Sequence, residues 1–330
     1  MEYNIEFYDS SKENLWDDFI FIRSMNGTFL QSRKFLKYHP EGRFLDCSVL
    51  IYRKDKLVAV CPACIIFEEG DKVFVSHQGS TYGGLIIDAS ISRLELLFTL
   101  IDELEGFLKN NRFTKICLKP TMRIFCREHD ESLLLAFSLK GYTEYKELNL
   151  YIDYANYNKE DIFSNFSKLK KRQVKKCLEN GIKLRELNSR EEIENFHIVL
   201  AENLKKYGRT PIHTVEELMD LKTNRFPEVI HFYGAYYNDS IVAGTMIFEF
   251  AECSCIHTQY LAALNLENGI SPMSFIYYAM IEMFAKKNIK YLSWGIATEH
   301  LGKGINWGLM RNKEEFGSRH CINYIYEKNL

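Results

Sequence analysis

Hydrophobic and polar residues alternate along three consecutive stretches in the last third of the chain, and this pattern predicts an antiparallel meander. The three stretches are Val229–Tyr237, Ile241–Phe250 and Ser254–Leu261. Ser271 and Pro272 follow, and this pair favours a helix start, because serine caps free backbone N–H groups and proline needs no donor there. A further strand is predicted at Ile289–Trp294.

Landmarks in the first half of the chain recur in the second half at separations of 179 to 184 positions. The pairs are Ser10 and Ser189, Thr28 and Thr210, Val58 and Val242, His77 and His257, and Ser92 and Ser271. Ser10, Ser92 and Ser189 each precede a glutamate by three positions, which is the pattern of a helix capping box. The chain is therefore predicted to contain two tandem copies of one β-α-α-β-β-β-α-β unit.

This repeat predicts an α+β protein with two domains, residues 1–150 and 151–330. The chain is long enough for each domain to have its own core. The second domain is expected to begin with a basic linker helix. A last strand near Ile322–Tyr326 is expected to pack back on the first domain.

Composition narrows the class of protein only a little. The formal net charge is −2, so the chain as a whole is not a nucleic-acid-binding polycation. No apolar run is long enough for a membrane span, and the N-terminus lacks the order of a signal peptide. Nine cysteines, an odd number scattered through predicted strands, indicate reduced thiols and a cytoplasmic protein.

The densest basic cluster lies in the segment that joins the two copies, and it contains Lys168, Lys170, Lys171, Arg172, Lys175 and Lys176. Apolar residues recur at helical spacing from Ile162 to Leu178, and Gly181 is a natural helix end. The cluster has two readings. It is either a solvated helix face or a site for phosphates, which need this density of charged donors.

Two glycine-containing loops follow predicted strands. The loop from Gly295 to Asn306 holds three glycines and the hydrogen-bonding candidates Thr298, Glu299, Lys303 and Asn306, which is typical of a binding loop. The earlier loop, Gln78–Gly84, ends in two glycines. It is either a plain turn or a place where a ligand approaches the backbone.

Simple strand alternation puts His257 and Gln259 on one face and Thr258 and Tyr260 on the other. His257 is either a hydrogen-bonded core residue or a group positioned for proton transfer.

Several chemistries have no matching motif. Cys61-Pro62-Ala63-Cys64 lies inside a predicted strand, so core filling is favoured over thiol redox chemistry, which needs a cysteine at a helix N-terminus. The histidines are too scattered for a metal ligand set, and no metal is predicted. A Gly-x-Ser-x-Gly elbow and a phosphate-binding Gly-Lys-Ser/Thr loop are both missing from the sequence.

The element order resembles the GNAT N-acyltransferase fold, and its tandem repetition resembles the Fem aminoacyltransferases and their FemAB-like relatives. The segments that match are Gly27–Leu36, Ser76–Gly84, Leu169–Cys177, His213-Thr214, His257–Tyr260 and Thr298–Gly317. The resemblance implies two tandem GNAT-like domains, each a mixed, mostly antiparallel sheet flanked by helices. By the same resemblance, Lys313 of Lys313-x-x-Phe316-Gly317 contacts a phosphate of the acceptor nucleotide.

Two departures from the family bear on the donor. The long helical arm that some Fem proteins use towards tRNA is missing, since no heptad pattern of that length occurs. The pyrophosphate loop of ordinary GNAT enzymes is replaced by Leu266–Ser271, which offers backbone N–H groups at a helix start. Acyl-CoA and aminoacyl-tRNA therefore both stay open as the donor.

Two functions follow as hypotheses. The first is an N-acyltransferase that moves an acyl or aminoacyl group onto an amine of a cell-wall or polysaccharide precursor, a small-molecule or nucleotide-linked saccharide acceptor, with tRNA as a further partner. Its expected proton-transfer or acceptor-positioning residues are His257, Tyr260, Glu299 and Tyr82. Its expected phosphate- and substrate-binding residues are Lys170, Lys171, Arg172, Lys175, Lys303, Asn306 and Lys313. The alternative is a non-catalytic double-GNAT module that binds a phosphorylated saccharide or nucleic acid.

Overall fold

A computed structural model describes residues 2–267 and 269–330. Its strands are β1 (Asn4–Phe7), β2 (Leu45–Asp46), β3 (Val49–Arg53), β4 (Lys56–Cys61), β5 (Ala63–Glu68), β6 (Asp71–Ser76), β7 (Ile86–Ile87), β8 (Lys115–Leu118), β9 (Thr143–Asp153), β10 (Lys183–Glu186), β11 (Ile230–Tyr237), β12 (Ser240–Phe250), β13 (Cys255–Ala263), β14 (Tyr291–Ile296), β15 (Thr298–Glu299), β16 (Gly304–Ile305) and β17 (Arg319–Asn329). Its helices are α1 (Glu13–Asp18), α2 (Arg33–Leu36), α3 (Leu94–Asn110), α4 (Ser132–Leu139), α5 (Lys168–Glu179), α6 (Arg190–Lys205), α7 (Val215–Met219), α8 (Pro272–Ala285) and α9 (Trp307–Glu314).

The chain divides into two compact units. The first unit extends to Glu147 and also contains His300–Gly302 and Ile322–Leu330, and the second contains Leu148–Glu299 and Lys303–Cys321. Strands β9 and β17 therefore each begin in one unit and end in the other. No helix among the described residues is both long enough and apolar enough to cross a bilayer.

The first unit is built on strand pairs in the orders β1-β3-β4-β7 and β17-β8-β6-β5-β2. The chain leaves β4 at Cys61 and enters β5 at Ala63, so Pro62 separates the two, as expected of a residue that cannot donate to a ladder. Strands β6 and β8 are parallel, and α3 lies in the segment of chain that connects them. Helix α3 buries its apolar face in the core of this unit through Leu97, Leu100, Ile101, Leu104 and Leu108.

The loop between β6 and β7 packs against its own unit. Ser76 Oγ accepts hydrogen bonds from the backbone N–H groups of Gly84 and Lys119, both at 2.8 Å. The Gly83 N–H donates to the Lys119 carbonyl oxygen at 2.9 Å. A Cβ at Gly83 would lie 2.7 Å from the Ser76 Cβ. The two glycines thus allow close packing of the chain on itself, which favours the plain-turn reading over the approach of a ligand.

Gly84→Ala is expected to destabilise the first unit by about 1–3 kcal/mol, because Gly84 has φ +71° and an added Cβ would lie 3.0 Å from Pro120 Cα. Gly106→Ala is the matched control. Gly106 is inside α3 with open space around its Cβ position, so that change should stabilise by about 0.5–1 kcal/mol. Urea unfolding of both variants measures the difference. Equal effects would contradict the proposed strain at Gly84.

The second unit has the strand order β10-β11-β12-β13-β14-β9. Strands β10 to β13 are antiparallel neighbours, β13 and β14 are parallel, and β14 and β9 are antiparallel. Helix α8 packs on the face that contains Ile247, Ile256 and Leu292. On the opposite face, Phe196 of α6 packs against Phe232 at a ring distance of 5.9 Å.

The capping residues of the second half are confirmed. Ser271 caps α8 with Pro272 in its first turn, and Ser189 and Glu192 form a capping box at α6. Two predicted boxes of the first half are wrong. Helix α3 begins after Arg93, so the Ser92 hydroxyl instead donates to the Ala89 carbonyl of a preceding 3-10 turn. Ser10 lies in a 3-10 turn that Asp9 caps, ahead of α1.

The basic linker helix is shorter than its apolar spacing predicts. Residues Ile162–Asn165 form a separate 3-10 turn, and Phe166 has an extended backbone. The Ser167 side chain accepts the Lys170 N–H and starts α5. The apolar residues before Ser167 therefore pack as a turn and not as helix.

Candidate active site

In the second unit, the parallel pairing of β13 and β14 ends at His257 and Ser293. Beyond this point β13 continues beside β12, and β14 continues beside β9. Each strand has a bulge within two residues of the last pair, with Gln259 as the extra residue of β13 and Trp294 as that of β14. Bulges bend and twist a strand, so the two strands part here and leave the end of the ladder open between them.

The bulge corrects the predicted orientation of the β13 side chains. Thr258 pairs with Ile247 and Tyr260 pairs with Met246, so Thr258 and Tyr260 have opposite faces. Tyr260 therefore shares a face with His257, whereas simple alternation separates them. This face is the one that α6 covers. The structure thus places two of the residues that the sequence singled out on one face of the sheet.

His257 is buried in the sheet, with 6% of its surface exposed. Its Nδ1 lies 3.1 Å from Ser293 Oγ, and Ser293 Oγ donates to Asn149 Oδ1 at 3.1 Å. Burial, assisted by the charge of Lys313, lowers the pKa of His257 to about 3. The imidazole is therefore neutral at physiological pH.

Lys313 is buried on α9, and its ammonium donates to the carbonyl oxygens of Gly295 and Ile296 at 2.9 and 2.8 Å. Burial lowers the pKa of Lys313 to about 7. Gly295 has φ +78°, a left-handed backbone conformation that glycine adopts without steric cost. Lys313 therefore holds the end of β14 at the parted strands, and contact with an acceptor phosphate stays a prediction.

Tyr260 is hydrogen-bonded through its hydroxyl to His213 Nδ1. The backbone N–H groups of Ile212 and His213 also donate to this hydroxyl, and they oppose the burial that raises the pKa of Tyr260 to about 12. The backbone carbonyl oxygen of His213 lies 3.0 Å from Nε2 of His197. Tyr260 is thus protonated at neutral pH and is fixed beside a second imidazole.

The basic residues of α5 fall into two groups. Lys170 is buried, and its ammonium donates to Asn312 Oδ1 at 2.6 Å and lies 3.7 Å from the Glu315 carboxylate. The other cations border a shallow open groove of about 560 Å³, lined by Lys168, Lys171, Arg172, Lys175, Lys176, Glu179 and Asn180. The groove presents five cations for one acidic side chain, so it favours anionic ligands.

The predicted binding loop after β14 forms a short hairpin of β15 and β16 followed by α9. Asn306 caps α9 by accepting the Leu309 N–H, and its amide donates to Glu299 Oε1 at 3.2 Å. Thr298 Oγ1 accepts the Leu148 N–H at 3.0 Å. Lys303 is exposed in the turn of the hairpin. Glu299 and Asn306 are therefore neighbours, and their hydrogen bonds stabilise this loop and the start of α9.

Tyr82 belongs to the first unit, where it is buried and its ring lies 5.2 Å from that of Phe125. All other candidate residues lie in the second unit. Their roles in binding and catalysis stay predictions.

The sequence pattern assigns no role to three residues of this site: Asn149, Ser293 and His213, the last of which falls only within a matching segment. A signal existed for two of them. Asn149 lies between Leu148 and Leu150, and Ser293 between Leu292 and Trp294, so each is a polar residue inside an apolar strand. Buried polar groups of this kind need partners, and partners are often functional.

The two cysteines of Cys61-Pro62-Ala63-Cys64 are buried, and burial raises the pKa of both thiols, that of Cys64 to about 12. They are therefore protonated core residues and not redox nucleophiles. Among the residues that the structure describes, no group of three or more His, Cys, Asp or Glu side chains is arranged to hold a metal ion.

The tandem fold of this chain has counterparts among solved structures. The chain is similar in structure to FemX, with a TM-score of 0.68 at 12% identity over 100% of this chain and 98% of FemX. It is also similar to L-PGS from Bacillus licheniformis, with a TM-score of 0.59 at 12% identity over 96% of this chain and 91% of that one. A tandem GNAT protein from the clavulanic acid biosynthesis pathway gives a TM-score of 0.58 at 9% identity over 99% and 98% of the two chains. The predicted fold, two tandem GNAT-like domains, is confirmed.

A sequence model of the FemAB family matches residues 13–208. The chain belongs to the FemAB family. No curated protein sequence matches it. Family membership, together with the tandem GNAT fold, supports an acyltransferase.

Proposed function

We propose that the protein is an N-acyltransferase that moves an acyl or aminoacyl group from a CoA thioester or a tRNA ester onto an amine of a cell-wall or polysaccharide precursor. The main support is the parting of β13 and β14 at His257 and Ser293. A neutral imidazole and a protonated phenol, His257 and Tyr260, share one face at this point. Acyl transfer needs one group that accepts a proton and one that supplies a proton.

In the proposed reaction the acceptor nitrogen attacks the carbonyl carbon of the donor. A C–N bond forms, and the C–S bond of a thioester or the C–O bond of an ester breaks. His257 takes the proton from the attacking nitrogen, and Tyr260 supplies a proton to the leaving sulfur or oxygen. Alignment of the two substrates supplies about 7 kcal/mol or more in well-oriented cases, so a nucleophilic side chain is unnecessary.

The α5 groove is the proposed anchor for the phosphates of the donor or acceptor. Lys175→Gln and Arg172→Gln are each expected to raise KM for the phosphate-bearing substrate roughly fivefold with little change in kcat, since each removes one exposed charge contact. With a tRNA donor, each change should also lower the slope of log affinity against log salt by about 1.

The matched control for these two variants is Lys286→Gln. Lys286 lies just after α8 in the same unit, and its side chain is 71% exposed. Steady-state kinetics at several salt concentrations compare the three variants. An equal effect of Lys286→Gln would indicate a general charge effect and would contradict anchoring at the groove.

The donor is identified by mass spectrometry in two arms. One arm supplies short-chain acyl-CoA and the other supplies aminoacyl-tRNA, each with a nucleotide-linked amino-sugar acceptor. Acceptor mass that increases by the acyl group in one arm supports the proposal and identifies the donor. A folded protein that binds phosphates with a thermal shift but forms no product in either arm would favour the non-catalytic binding module.

A further inference from the structure

Three buried polar side chains form a line across adjacent strands of the second unit. Asn149 of β9 and Ser293 of β14 are both 0% exposed, and His257 of β13 is 6% exposed. Apolar residues precede and follow each of Asn149 and Ser293 in sequence. Burial of three polar groups is unfavourable unless each is hydrogen-bonded, so the direction of each proton in this line matters.

The amide of Asn149 sets the first direction. Its Nδ2 lies 3.4 Å from the Leu150 carbonyl oxygen, which only accepts, and 3.5 Å from Cys321 Sγ. Its Oδ1 therefore faces Ser293 Oγ, 3.1 Å away. Because an amide oxygen has no proton, the Ser293 hydroxyl must donate to Asn149.

The single proton of Ser293 is then used. Its oxygen is left to accept, and the Gly295 N–H lies 3.4 Å from it. His257 Nδ1 is the remaining partner at 3.1 Å, so Nδ1 must donate to Ser293. A neutral imidazole has only one N–H, and an Nδ1–H tautomer leaves the lone pair on Nε2.

The His257 ring lies beside the end of β14. Its Cε1, the carbon between the two ring nitrogens, lies 3.6 Å from the position that a Cβ would take at Gly295. Lys313 is the charged neighbour that acts on this imidazole, through its position at the Gly295 carbonyl. The His257 imidazole is therefore located at the end of β14 where the strands part.

We infer that Asn149 and Ser293 are positioning residues that fix His257 as its Nδ1–H tautomer and so make Nε2 the proton acceptor. The base role of His257 rests on the proposed function, whereas the tautomer is a property of the resting protein. The two parts can therefore be tested separately.

The tautomer is measured by ¹⁵N NMR of histidine-labelled protein, with the His257 signals assigned by comparison with His257→Gln. In the unsubstituted protein Nδ1 should give the shift of a protonated ring nitrogen and Nε2 that of an unprotonated one. Ser293→Ala should shift the population towards Nε2–H. His231, which lies on β11 at the side chain of Glu186, is an internal control whose signals should not change. Nε2–H in the unsubstituted protein would overturn the inference.

Kinetics provide the second readout. Ser293→Ala is expected to lower kcat roughly 10-fold to 100-fold with little change in KM, as for other groups that orient a reactive ligand. Asn149→Asp retains an acceptor oxygen, so it should preserve the Nδ1–H tautomer while its charge moves the acid limb of the pH–rate profile to higher pH. An unchanged profile and unchanged kcat in both variants would contradict positioning.

The outcomes separate the two proposals. An Nδ1–H tautomer in a protein that transfers no acyl group overturns the proposed function alone. An active enzyme with Nε2–H on His257 overturns only the inference that Asn149 and Ser293 fix the tautomer. Far-ultraviolet circular dichroism of each variant establishes that it is folded before either comparison is made.

Discussion

His257→Ala is expected to lower kcat for acyl transfer by about 10²–10⁴-fold, which is the usual contribution of a general base. The neutral imidazole is located where β13 and β14 part, and Ser293 orients it through a hydrogen bond. KM should change little, because His257 is not expected to anchor either substrate. Steady-state kinetics with the donor identified by mass spectrometry measure the effect.

His231→Ala is the control for this change. His231 is also in the second unit, but it lies on β11 and contacts Glu186 at 3.2 Å. Its removal should leave kcat within about twofold, as for most substitutions away from a site. A His257→Ala enzyme with nearly full activity would remove His257 from the mechanism, whatever the result for His231.

The pKa of His257 also predicts how stability depends on pH. The value is about 3 in the folded protein, against an ordinary 6.5, so the unfolded chain binds more protons between these limits. Stability contributed by this residue is complete above about pH 6.5 and is lost as pH falls towards 3. In His257→Ala this component of the acid-induced loss should be absent, which urea unfolding at a series of pH values tests.

Phe316→Ala is expected to destabilise the second unit by about 3–5 kcal/mol, the usual cost of removing a fully buried phenyl ring. The Phe316 ring is 0% exposed and stacks on Tyr277 with a centroid distance of 4.9 Å. It also packs against Phe166 at 5.0 Å. The Lys170 ammonium lies 5.2 Å from the ring centre. The cavity would therefore affect α5, α8 and α9 together.

Phe67→Ala is the matched control, because Phe67 is 66% exposed on β5. Its removal should change stability by no more than about 0.5 kcal/mol. Thermal or urea unfolding with and without each substitution provides the comparison. Similar decreases in the free energy of unfolding of the two variants would show that Phe316 contributes no more to stability than an exposed phenylalanine.

The Phe316 result tests the structural role of the motif Lys313-x-x-Phe316-Gly317. In this chain Phe316 packs in the core, and Lys313 bonds two carbonyls of the β14 end. Gly317 has φ +83°, and a Cβ there would lie 3.0 Å from the Tyr157 ring. The motif therefore fixes the position of α9 against the end of β14. This structural role explains why a lysine, a phenylalanine and a glycine occur at these three positions.

The sequence by itself determined the repeated order of elements, because hydrophobic periodicity and capping residues are local properties. The alternation of Ile241–Phe250 and the Ser271-Pro272 helix start both appear in the structure as β12 and the start of α8. The basic cluster of α5 was also readable, since charge spacing on a helix depends only on the helical period.

Only the tertiary structure decided which side chains meet. Two bulges, at Gln259 and Trp294, depend on the pairing of β13 with β12 and of β14 with β9, and the bulge at Gln259 places Tyr260 on the face of His257. The partners of His257 and Lys313 come from strands and loops distant in sequence. Periodicity encodes the face of an ideal strand, but it does not encode an extra residue in a ladder or the contacts that burial creates, and these features define the candidate site.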